Sequence, residues 1–131
     1  MLKSEPAEPE EIAGLLQSGR VRLADARNTH ISLESRFDLA YNAAHALSLA
    51  ALRLRGYRPN KARFVVFQAL QHTLGLGPEI WRVLDKGHAL RNTAEYEGYF
   101  EIDEQLLTDL KKSAEAVEDA LKKACPPGKP R

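Results

Sequence analysis

The chain has 131 residues, of which 44% are hydrophobic and 28% charged. That fits one globular domain around a single core and excludes a disordered polyelectrolyte. Nineteen Lys and Arg against eighteen Asp and Glu leave a formal net charge of +1, so bulk charge makes no case for non-specific nucleic-acid or membrane binding.

In chain order the pattern is helical, and no segment reads as a strand. Residues 8–17 carry Ile12, Leu15 and Leu16 behind Pro6 and Pro9, which suit a helix start because proline's φ is already fixed and its missing N–H is not needed there. Ser18-Gly19 reads as a turn before a second short segment over residues 20–28 with Val21, Leu23, Ala24 and Ala26. Ser32, with Glu34 in the first turn, opens a long helix that runs to Arg55 and stops at Gly56, the usual residue for a left-handed C-terminal cap. Pro59-Asn60 is expected to start the next helix, carrying Phe64, Val65, Phe67, Ala69, Leu70 and Leu74, and Gly75-Leu76-Gly77-Pro78 breaks it. A further helix runs from Pro78 to about Tyr96 and ends at Gly98. Asp103 caps a last one with Leu106, Leu107, Leu110, Ala114, Val117 and Leu121 at three- and four-residue steps. The expectation is an all-α antiparallel bundle of about five helices over residues 1–124, with residues 125–131 a frayed tail. The one cysteine, Cys125, lies in that tail, so neither an intrachain disulfide nor a cysteine metal cluster is expected. No run of about 18 apolar residues is present to span a membrane, and the acidic N-terminal stretch is unlike a signal peptide. The cytoplasm is the expected compartment.

Charge is distributed unevenly. Arg53, Arg55, Arg58, Lys61 and Arg63 surround a Gly-Tyr-Arg-Pro turn, and Glu95, Glu97, Glu101, Asp103, Glu104 and Asp109 form an acidic counterpart. Both suit solvated turns. The sharper reading makes the basic residues phosphate contacts, or a patch that meets an acidic one on a second subunit.

Two polar stripes run along helices. His88, Arg91, Asn92, Glu95 and Tyr96 follow one another at helical spacing, and Arg91 falls within the apolar arc of Ile80, Val83, Leu84, Gly87, Leu90 and Ala94. A charge there needs partners, because burying it alone costs several kcal/mol or more. Asp38, Tyr41, Asn42 and His45 form the matching stripe on the long helix. A polar network between these helices, or across a dimer seam, is expected, and a plain Arg91–Asp38 or Arg91–Glu95 ion pair would serve structure alone. His45 sits among alanines as a core histidine, whereas His30 and His72 read as surface or capping residues. No histidine pair has metal-ligand spacing, so no metal or other cofactor is expected. Phe37, Phe64, Phe67 and Trp81 are spaced as core, with Tyr57 and Tyr99 exposed beside turns. No G-x-S-x-G nucleophile turn occurs, and no glycine-rich loop follows a strand.

The run SRFDLAYNAAHALSLAALRLRGYRPNKARFVVFQAL resembles the second and third helices of the HEPN superfamily, small prokaryotic helical-bundle domains. There a helix with an A-Y-x-A-x-H-A-like core leads through a Gly-x-x-Pro turn to another apolar helix. LRNTAEYEGYFEIDEQLLTDL is similar to the family's closing portion, with Arg91-Asn92 its most specific point. The resemblance covers residues 32–123. It implies a homodimer with the two Arg-bearing helices facing each other, and metal-independent ribonuclease activity through an Arg-x4–6-His motif in toxin–antitoxin, defence or RNA-processing systems. In some of these systems a nucleotidyltransferase partner adenylylates a tyrosine near the motif, which makes Tyr96 and Tyr99 modification candidates.

The motif histidine is missing: Tyr96 occupies its first slot and no histidine follows His88. Cleavage of RNA without metal needs a base for the 2′-hydroxyl and an acid for the leaving oxygen, and unperturbed tyrosine is a poor base. The reading is therefore a dimer without the usual nuclease activity. It would bind a nucleotide, RNA or partner protein (an antitoxin or nucleotidyltransferase) through Arg91, Asn92, Glu95, Tyr96, Asp38, Tyr41, Asn42 and His45. The alternatives are a divergent ribonuclease using Arg91 and His88 as catalytic residues, and a purely structural interaction module.

Overall fold

A computed structural model describes residues 2–59, 64–97 and 104–124 of the protein. The fold is an all-α bundle in which a central helix is wrapped by the others. Helix α1 spans Pro9–Ala26, α2 Leu33–Leu54, α5 Pro78–Glu97 and α6 Glu104–Ala124, with two short pieces, α3 (Phe64–Gln68) and α4 (Leu70–Thr73), between α2 and α5.

Helix α2 is the hub, packing chiefly on α1 and α6 and on its other flank on α3, α4 and α5. Its sequence explains this: Phe37, Ala40, Tyr41, Ala43, Ala44, Leu47, Ala50 and Ala51 are all fully buried, and the many alanines let neighbouring helices approach from several sides. Ser32 caps its start by accepting the Ser35 backbone N–H at 3.1 Å, as the sequence suggests. Gly56 follows its end at φ 87°, the left-handed conformation that favours glycine. On α6 the expected three- and four-residue steps hold, since Leu107, Leu110, Ala114, Val117 and Leu121 are buried.

The structure corrects three sequence expectations. Ser18-Gly19 is not a turn: α1 runs unbroken through it. A Cβ built on Gly19 would come within 2.5 Å of Leu47 Cγ, so this glycine is there to let α1 lie close against α2. Second, a short ribbon exists. Strand β1 (Leu2–Ser4) pairs antiparallel with β2 (Tyr57–Pro59), in the register Leu2 with Pro59, Lys3 with Arg58 and Ser4 with Tyr57. Three residues are too few to show alternation, and the partners are 53 or more positions apart, which hides the ribbon from any local pattern. Third, Pro59 closes β2 instead of opening a helix, and the segment from Phe64 is split at Ala69 into α3 and α4. Asp103, Gly98 and the tail from Cys125 onward lie outside the described residues. Among the described residues, no helix is long and apolar enough to cross a membrane.

Candidate functional site

The two polar stripes meet within one chain, along the seam between α2 and α5. Tyr41 is fully buried, and its hydroxyl lies 2.9 Å from Nδ1 of His88. The other ring nitrogen, Nε2, is 3.2 Å from the Asn92 side-chain amide nitrogen. Each ring nitrogen therefore has a polar side chain within hydrogen-bond distance, Tyr41 at Nδ1 and Asn92 at Nε2. These two contacts fix the orientation of the His88 ring.

Beside this chain of contacts, Arg91 Nε donates to Asp38 Oδ1 at 3.2 Å. The Arg91 guanidinium carbon lies 5.3 Å from the centroid of the Tyr41 ring, a cation–π distance. Asn42 donates to the Asp38 backbone carbonyl at 2.9 Å and to its carboxylate at 3.3 Å, holding the acid on its own helix. The Arg91 side chain is 28% exposed and that of Asp38 55%. Arg91 therefore sits at the rim of the seam instead of deep in the core, although its helical position lies within the apolar arc. His45 is half-buried and packs edge-on against Phe67, ring centroids 6.1 Å apart. Side chains of Glu95 and Tyr96, and all of Tyr99, Lys61 and Arg63, lie outside what the structure describes.

One more residue, outside both stripes, belongs to the same neighbourhood. Asp85 lies one turn before His88 on α5, and its Oδ2 receives a 3.4 Å contact from Gln68 of α3 while its Oδ1 is buried without a hydrogen-bond partner. Burial raises its carboxyl above the ordinary Asp range, partly offset by the Gln68 hydrogen bond and by attraction to His88. The spacing Asp85, His88, Asn92 is itself helical and was the available signal.

The basic cluster resolves differently. Arg53 is 1% exposed, and its guanidinium makes five hydrogen bonds: two to the Glu11 carboxylate at 3.0 and 3.2 Å, and one each to the carbonyls of Glu5 at 2.8 Å, Tyr57 at 2.9 Å and Pro6 at 3.1 Å. A guanidinium has five N–H donors, so every one is used. Arg58 adds contacts to Glu5 at 2.6 Å and Glu11 at 3.0 Å, making a charge-neutral quartet. Hydrogen bonding to Arg53, with the charges of both arginines, holds the Glu11 carboxyl below the ordinary range. Arg55 is exposed and donates to the Thr73 carbonyl at 2.9 Å. As phosphate contacts, then, Arg53 is sealed off and Arg58 is neutralised by carboxylates of its own chain. The glutamates responsible stand 42 or more positions away, and no spacing rule links them.

Among the described residues no three His, Cys, Asp or Glu side chains come together as a metal-ligand group. Comparison with models of protein families, with curated proteins and with solved structures found no match.

Proposed function

We propose that the chain is a HEPN-like protein that acts as a homodimer and binds a phosphate-bearing ligand, a nucleotide or RNA, at the rim of the α2–α5 seam. The reading places it in a toxin–antitoxin or defence system, with an antitoxin or nucleotidyltransferase as its protein partner. The observation that carries the binding role is the state of Arg91. It is a partly exposed side chain, its guanidinium steadied over Tyr41 and paired through Nε with Asp38, the more exposed of the two. An incoming phosphate competes with Asp38 for that guanidinium, and arginine suits the exchange because its planar fork matches phosphate oxygens. Binding is favoured over cleavage because both ring nitrogens of His88 already have partners, which leaves no free base at hand.

The test is fluorescence anisotropy of a labelled RNA oligonucleotide and of a labelled adenine nucleotide, with EDTA present and RNA integrity followed on a gel. Arg91→Ala is expected to abolish binding, and Asp38→Asn to tighten it by removing the competing carboxylate. Sedimentation reports the dimer in the same samples. A folded wild type that binds neither probe would leave the seam as a structural joint alone. A second reading, a divergent metal-independent ribonuclease, draws on the Tyr41–His88 hydrogen bond, which orients the ring as a third group orients a catalytic base. RNA cleavage with EDTA that is lost in folded His88→Ala would decide for it.

A further inference from the structure

Asn42 follows Asp38 by one turn on α2, and its side-chain hydrogen bonds go back to that residue. The amide nitrogen donates to the Asp38 carbonyl at 2.9 Å and to the carboxylate oxygen Oδ2 at 3.3 Å. The other carboxylate oxygen, Oδ1, accepts from Arg91 Nε at 3.2 Å. We propose that Asn42 is a positioning residue: it pins Asp38 against Arg91 as an autoinhibitory contact, and so sets how tightly the rim takes a phosphate-bearing ligand. This rests on the ligand reading above and names a device that regulates the same site.

Three features argue for this. The Asp38 side chain is 55% exposed, and an exposed aspartate loses entropy when an ion pair holds it in one rotamer, which is why most surface pairs contribute little. Here Asn42 supplies that ordering in advance. An amide nitrogen carries two hydrogens, so one group serves both the carbonyl, which anchors it to the helix, and the carboxylate, which it orients. Next, the two carboxylate oxygens are divided between two partners, Oδ1 for Arg91 and Oδ2 for Asn42. The acid that faces Arg91 is thus held from its own helix. Finally, the Asn42 amide nitrogen is turned back along α2, which fits a residue that acts through Asp38 and not one that touches a ligand. A phosphate approaching Arg91 meets the pinned carboxylate twice, as the occupant of Nε and as a like charge beside it. With the pin removed, Asp38 is free to turn into solvent and the guanidinium opens to the ligand.

The experiment measures anisotropy of the labelled RNA and the labelled adenine nucleotide with four full-length chains: wild type, Asn42→Ala, Asp38→Ala and the double variant. Alanine suits both helical positions, and circular dichroism checks that each chain folds. Asn42→Ala is expected to tighten binding by about 2–10-fold, the net strength of one hydrogen bond expressed as a ratio of affinities. In the Asp38→Ala background the same substitution should change nothing, because no carboxylate is left to pin. A merely structural role for Asn42 would not depend on Asp38 in this way. No tightening when Asp38 is present, or a shift of the same size in both backgrounds, overturns the proposal and leaves the ligand reading standing. Failure of all four folded chains to bind either probe overturns both.

Discussion

Arg53 shows how much of a structure one side chain can organise. It is buried, charged and bonded at all five donors, and it joins α1, α2, β2 and the N-terminal segment at Glu5 and Pro6. Breaking a buried ion pair by removing one partner typically costs about 3–5 kcal/mol, because the other partner stays behind uncompensated. Arg53→Met keeps the aliphatic volume but leaves three backbone carbonyls without their donor, so a loss in that range is expected from urea unfolding. Arg58→Met, at 40% side-chain exposure, should lose clearly less, since solvent replaces much of what its guanidinium provides. Equal losses would mean that the clasp is one cooperative unit and not a keystone with an outer brace. Arg91 contrasts with Arg53: the same residue type, at 28% side-chain exposure, is open to solvent at the rim of its seam.

At the scale of elements, α1 carries two glycines with opposite roles. A Cβ on Gly14 would meet nothing within 4 Å, whereas one on Gly19 would strike Leu47 at 2.5 Å. Gly14→Ala is therefore expected to stabilise by about 0.5–1 kcal/mol through helix propensity alone. Gly19→Ala should destabilise by about 1–3 kcal/mol by overpacking against a fully buried leucine. Thermal melts of both variants check the pair, and two shifts of the same sign would contradict the α1–α2 contact. The same residue explains a misreading, since Ser18-Gly19 has the composition of a turn and only the facing Leu47 reveals it as a packing site. The long helices α2, α5 and α6 were legible because their signals are local: Ser32 at a cap, Gly56 after an end, Pro78 at a start, apolar steps along α6. The β1–β2 ribbon was not legible, because three-residue strands carry no period.

For the whole molecule, legibility follows sequence distance. The α2–α5 seam could be anticipated because each stripe is visible within its own helix, and only their facing had to be guessed; Tyr41 with His88 and Asp38 with Arg91 realise it. The Arg53 quartet could not, since its acids and bases read separately as solvated charge. The spacing of Asp85 to His88 and Asn92 was visible, but its burial was not, because nothing local distinguishes a helix-face aspartate that neighbours will bury from one they will not. These last two sites set how global stability responds to acid, and they act in opposite directions. The folded-state carboxyl of Glu11 is lowered by Arg53 and Arg58, so its contribution is complete above the ordinary carboxylate range and is lost as pH falls through the depressed folded value. That of Asp85 is raised, chiefly by burial, so the folded state takes up its proton before the unfolded chain does, and stability rises as pH falls through that window. Acidification from neutral should first stabilise the fold slightly and then destabilise it, with a maximum on the acid side. Urea midpoints measured across the acid range test this in three chains. Asp85→Asn should be more stable than wild type at neutral pH and should lose the initial rise, because the amide has no charge to bury. Glu11→Gln should be weaker at neutral pH and show a shallower acid fall. A wild-type profile that declines steadily from neutral pH, unchanged in Asp85→Asn, would show that the aspartate is solvated and that its burial does not set the acid response.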